Sequence, residues 1–150
     1  MKKISLGAVC IACDSDRLKP LFLIRQEGVH PGEKGHEITY SHTVLAVCES
    51  CGSGQLEKLE HDCFDFEDVF DHYEWYVIKD SEMKLLQERL KSCTKPLDAG
   101  CGCEVHEALR KSSEALPTTP WETSMETGSH INRISVDLSK GGIRFKPKSH

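Results

Sequence analysis

Apolar and polar positions alternate along much of this chain with the two-residue period of half-buried strands. Leu21-Phe22-Leu23-Ile24 is an apolar run after Pro20 and suits a buried strand. Ile38 to Val47, rich in Thr, Tyr and Val, predicts another strand, and Gln55 to Glu60 a further one. Tyr73-Glu74-Trp75-Tyr76-Val77-Ile78 reads the same way, and Ile4 to Val9 is expected as a short strand ahead of them all. Gly28-Val29-His30-Pro31-Gly32-Glu33-Lys34-Gly35 is a loop by its glycines and proline. Two stretches switch to the helical period. Met83, Leu86 and Leu90 share one face of a helix that Asp80 or Ser81 can cap and that ends near Cys93. Val105, Ala108 and Leu109 do the same for Glu104 to Ala115, where Pro117 marks the end. After the loop Pro117-Thr118-Thr119-Pro120-Trp121, Ile131–Leu138 and Ile143–Phe145 alternate like strands around a hairpin turn at Ser139-Lys140-Gly141-Gly142. One segment carries conflicting signals. Leu56, Leu59, Cys63, Phe66, Phe70 and Tyr73 fall at helical steps, yet the aspartates and aromatics between them are poor helix formers. A short helix or turn near Asp65–His72 is expected, leading into the strand at Tyr73. The class is α+β.

Composition narrows the setting. A chain of 150 residues with 38% hydrophobic positions can build one core with a small module joined to it. No stretch approaches the length of a membrane span. Met1-Lys2-Lys3-Ile4-Ser5-Leu6 has two positive charges but neither a long apolar region nor a cleavage signature, so a cytoplasmic protein is expected. In a reducing compartment, eight cysteines argue for metal and against a disulfide framework.

Cys10-Ile11-Ala12-Cys13 and Cys48-Glu49-Ser50-Cys51 carry the strongest chemical signal. Each pair can turn inward on a tight loop and take two corners of a zinc tetrahedron. The frames match, Val9 before the first pair and Val47 before the second, and Gly52 follows the second. Four thiolates saturate the ion and leave no position for water or substrate, which makes the site structural. The paired spacing resembles a zinc ribbon, in which two knuckles on adjoining β-hairpins close over one metal. That resemblance implies a β-rich zinc-ribbon module over 1–60, packed as one compact unit with an α+β remainder over 61–150 that holds a small sheet and two helices.

A second group is open to two readings. Cys93, Cys101, Cys103 and His106 could bind a second zinc as three thiolates and one imidazole, with Cys63 as a substitute ligand. Alternatively Cys63, Cys93 and Cys103 pack as small apolar side chains. His61 and His72, read with Asp62, Asp65 and Asp68, suggest a metal nuclease site, but nothing positive lies nearby to hold phosphate. A G-x-S-x-G elbow, an H-E-x-x-H helix and a phosphate loop are all missing from the sequence, so no catalytic residue is assigned and a non-enzymatic protein is expected.

Charge supplies the functional clue. The net charge is −5, while residues 55–80 alone carry nine acidic and two basic groups. Glu60 to Tyr76 also holds six of the ten aromatics of the chain. Its bland reading is an amphipathic piece with rings in the core and acids in water. The sharper reading is an interface in which Asp62, Asp65, Glu67, Asp68, Asp71, Glu74 and Trp75 meet a basic protein surface. In size, acidity and lack of a catalytic set the whole chain resembles small bacterial immunity proteins. The resemblance implies a partner toxin, nuclease-like, neutralised by protein–protein binding. The alternative is a nucleic-acid-associated zinc ribbon that uses the basic tail residues Arg133, Lys140, Arg144, Lys146 and Lys148; the net negative charge opposes it.

Overall fold

The computed structural model describes residues 4–28, 39–63, 69–117 and 129–148. Strands β1 (Leu18–Gly28), β2 (Thr39–Cys48), β3 (Gly54–Cys63) and β4 (Val69–Ile78) pair as an antiparallel meander. Helices α1 (Asp80–Leu90) and α2 (Glu104–Glu114) follow. They lie on the crossover that lets β5 (Ser129–Asp137) run parallel to β4, since parallel neighbours cannot be joined by a tight turn. β6 (Arg144–Pro147) then pairs antiparallel with β5. The described strands form one sheet in sequence order, with β1 and β6 at its edges. The expected mixture of helix and sheet is therefore present.

Register builds the core on one face. Phe22, Leu45, Leu56 and Tyr76 stand side by side across four strands, and Ile78 stands beside Ile134. Met83, Leu86 and Leu90 of α1 and Val105 and Leu109 of α2 cover them, and all are buried. Each such aliphatic side chain contributes about 1.5–3 kcal/mol when fully removed from water. Lys58 reaches the end of α2 and donates to the Ser113 carbonyl at 2.5 Å, satisfying a helix terminus that favours cations.

Several elements depart from the sequence expectations. Ile4–Val9 forms no strand. This segment crosses the other face of the sheet and is held by β3 side chains in place of a backbone ladder. The Gly7 amide donates to Glu57 Oε1 at 2.7 Å, and the Ile11 amide donates to Gln55 Oε1 at 3.0 Å. Gly7 has to be glycine here, because a Cβ would sit 2.1 Å from the Tyr73 ring. The helix or turn expected near Asp65–His72 is strand from Val69 onward; residues 65–68 lie outside the described residues. Pairing of Phe70 with Asp62 and of Val69 with Cys63 overrides the helical spacing. The first turn of α1 contains Asp80 without a side-chain cap, and Lys79 occupies the capping position. Beyond Gly28 and Pro117, the two expected loops lie outside the described residues. The turn at Ser139–Gly141 is present, with Lys140 and Gly141 both at positive φ.

Gly54 starts β3 directly under α1. A Cβ there would lie 2.4 Å from Met83 Sδ, 3.1 Å from its Cγ and 3.2 Å from Ile78 Cβ. Gly54→Ala should cost about 1–3 kcal/mol of stability by overpacking, read from urea unfolding of the metal-loaded protein. An unchanged midpoint would mean that α1 does not press on β3.

Candidate metal centres

The two C-x-x-C pairs fold into the same local shape. In the first, the Cys10 amide donates to the Ser15 carbonyl at 3.0 Å and the Asp14 amide to the Cys10 carbonyl at 2.7 Å. In the second, the Cys48 amide donates to the Ser53 carbonyl and the Gly52 amide to the Cys48 carbonyl, both at 2.9 Å. Asp14 and Gly52 occupy matching positions with φ of 62° and 81°. Glycine adopts that conformation freely, and aspartate tolerates it better than most side chains. The sequence shows Gly52; the matching role of Asp14 was missed, although it stands at the same offset from its cysteine pair. Ser15 and Ser50 join the two turns through their hydroxyls at 2.9 Å, and the Glu49 amide donates to the Arg17 carbonyl at 3.0 Å.

This pairing brings Cys10, Cys13, Cys48 and Cys51 together, with all four sulfurs within 4.8 Å of one another. Cys10 Sγ lies 3.7 Å from Cys51 Sγ, and Cys13 Sγ 3.7 Å from Cys48 Sγ. Tetrahedral metal–sulfur bonds of about 2.3 Å require sulfur–sulfur edges of about 3.8 Å. The spacing therefore fits one metal ion bound by four sulfurs. The surroundings prepare the charge. Burial raises the Cys48 thiol, but amides of Cys51 and Ser50 and the neighbouring thiols outweigh it and bring its pKa to about 6. Burial pushes Cys10 up to about 12. The likeness to a zinc ribbon extends to the two knuckles. The second joins β2 to β3, whereas the first joins the non-strand segment 4–9 to β1.

The second predicted group also converges. Cys93, Cys101, Cys103 and His106 place their ligand atoms within 4.8 Å of one another. Cys93 Sγ is 3.9 Å from Cys101 Sγ, and His106 Nδ1 is 3.4 Å from the sulfurs of both Cys93 and Cys103. Cys103 stands at the capping position of α2, where its sulfur accepts the His106 amide. Burial raises this thiol, yet the backbone and ring of His106 and the other two thiols hold its pKa near 6. Burial drives Cys93 to about 11. The His106 Nε2 lies 3.2 Å from the Leu23 carbonyl, to which only a protonated nitrogen can donate. That fixes the tautomer and leaves Nδ1 with a free lone pair facing the sulfurs.

The predicted partner-facing residues separate. Asp71 is exposed and bonds His61 Nδ1 across the β3–β4 pair. Glu74 and Trp75 are buried, 1% and 8% exposed, so neither offers a surface to a partner. The Trp75 indole donates to Glu57 Oε1 at 2.8 Å, and Glu74 accepts from Asn132 Nδ2 at 2.9 Å. The strand period that puts Asp71 in water turns Glu74 inward. Asp65, Glu67 and Asp68 lie outside the described residues, as does the side chain of Asp62. His61 and His72 do not converge: His61 stands beside Asp71 on one face, and His72, its successor in β4, points to the other.

Loss of one knuckle ligand tests the first centre. Cys48→Ser should lower bound metal by one ion per chain, by elemental analysis, and cost more than about 3 kcal/mol of stability. A variant of unchanged stability would show that the fold does not use this ion.

Comparison with protein-family models, curated proteins and solved structures gave no match. The function of this chain has to come from the chemistry of its own side chains.

Proposed function

We propose that this chain is a non-enzymatic zinc protein of the bacterial cytoplasm that works by binding another protein. The observation that carries the reading is the closure of the Cys10, Cys13, Cys48 and Cys51 set. Four protein ligands at tetrahedral spacing fill every position, so the ion serves the fold and function passes to the surface. Zinc is the metal that tetrahedral all-thiolate sites favour.

The surface contact is the acidic stretch of the sequence from Glu60 to Asp71. Glu60 and Asp71 are exposed at its two ends, and residues 55–80 carry more negative charge than the whole chain. Carboxylates in this density complement a basic cleft and speed encounter with it. A nuclease presents such a cleft, and neutralising a nuclease toxin is the activity that best uses a small acidic binder. With Trp75 buried, its ring serves the fold and the contact rests on the acids of that stretch.

One observation favours the nucleic-acid reading in part: Arg133 on β5, Lys140 in the turn and Arg144 on β6 are each exposed. Lys146 and Lys148, however, are paired with Asp137 and Glu82, which lowers the charge available to a phosphate backbone.

Coexpression with a nuclease domain encoded beside its gene should restore growth. The variant carrying Asp65→Asn, Asp68→Asn and Asp71→Asn should keep its zinc but associate about tenfold more slowly at low salt, with a flatter salt dependence. No rescue by the folded, zinc-loaded chain would remove the toxin-neutralising reading. A salt-dependent shift with labelled RNA or DNA would move the function to nucleic acid.

A further inference from the structure

β1 is an edge strand, and an open edge offers unpaired amides and carbonyls to any other strand. Here the outward-facing groups at its centre are taken. The Leu23 amide donates to the Pro96 carbonyl at 2.8 Å, and the Leu23 carbonyl accepts from His106 Nε2 at 3.2 Å. The Ile24 carbonyl accepts from Arg110 Nε at 3.3 Å. All three partners belong to the cysteine loop or to the first turns of α2. Arg110 also binds that loop from behind, its Nη2 donating to the carbonyls of Ala99 and Cys101, each at 2.7 Å. The loop itself contains no helix or strand between Leu90 and Glu104. The convergence of Cys93, Cys101 and Cys103 on His106 adds to these bonds in setting its path.

We propose that Cys93, Cys101, Cys103 and His106 bind a second zinc ion, through three thiolates and Nδ1, and that this centre closes the outer edge of β1. This rests on the reading of the chain as a zinc protein and adds a task for the second ion. His106 is the joint between the two roles: one ring nitrogen faces the metal, and the other holds the strand. Ligation at Nδ1 keeps the proton on Nε2, so the metal and the bond to Leu23 support each other. Arg110 is a positioning residue, because it carries the Cys101 carbonyl and the β1 carbonyl on one guanidinium.

The test uses the full chain purified with zinc, elemental analysis, chelator competition and amide hydrogen exchange. The unmodified protein should hold two zinc ions, and Cys101→Ser with Cys103→Ser should hold one. In that variant the Leu23 amide should exchange about 100-fold faster, while the Leu56 amide in the sheet centre stays protected. Arg110→Ala keeps every ligand. It should weaken zinc at this centre by about 10–100-fold and leave the Cys10 centre unchanged. Should the double variant not fold, Arg110→Ala decides by itself. Loss of one zinc with Leu23 still protected, or Arg110→Ala with unchanged affinity, would overturn the link to the strand. One zinc in both the unmodified protein and the double variant would overturn the second centre and leave the first intact. An absence of zinc from the unmodified protein would instead overturn the zinc reading itself.

Discussion

Four sulfurs that must meet at one point set the terms for the rest of this molecule. Cys10 and Cys13 precede the sheet, while Cys48 and Cys51 form the turn between β2 and β3. Closing them over one ion would fix the start of β1 against the end of β2, where Leu18 pairs with Cys48. From that anchor the meander grows strand by strand. A structural zinc of this kind is worth about 10–16 kcal/mol of apparent binding energy in small peptides, at or above the net stability of a typical domain of about 5–15 kcal/mol. An ion of that strength would be a sufficient reason for a 150-residue chain to place half of its eight cysteines together.

The same anchor explains the two faces of the sheet. One face receives the helices over an apolar cluster, with Lys58 and the buried Glu74 beside it. The other carries a buried carboxylate, Glu57, which would be costly without partners. It has three: the Gly7 amide at 2.7 Å, the Trp75 indole at 2.8 Å and His42 Nε2 at 2.7 Å, with Tyr40 behind His42 at 2.8 Å. The Gly7 contact exists because the Cys10 turn holds the preceding segment across the sheet. The Cys10 turn, the segment 4–9 and the buried Glu57 are thus linked by hydrogen bonds, so a metal held at the cysteines would support all three.

How much of this was legible in the sequence follows from the range of each signal. The helices were, since Met83, Leu86 and Leu90, and Val105 and Leu109, repeat within a few residues, and both metal sets were, because ligand chemistry restricts spacing. Ile4–Val9 misled, since an apolar run cannot show whether a neighbouring strand is present to pair with it; here the hydrogen-bond partners are side chains of Gln55 and Glu57. The acidic segment misled more. Composition counted Glu57, Glu74 and Trp75 with the solvent-facing acids and candidate anchors, but Glu57 and Trp75 are covered on one face of the sheet and Glu74 on the other. The tie from His106 and Arg110 to β1 joins residues more than eighty positions apart, and no local pattern contains it.

X-ray absorption at the zinc edge of the full-length protein tests the closed centres most directly. Two closed centres predict seven sulfurs and one imidazole nitrogen shared between two ions per chain, with zinc–sulfur distances of about 2.3 Å and no water in the inner shell. An oxygen ligand on either ion, or zinc bound by fewer sulfurs than that, would contradict structural closure and return the metal to chemistry with an open position.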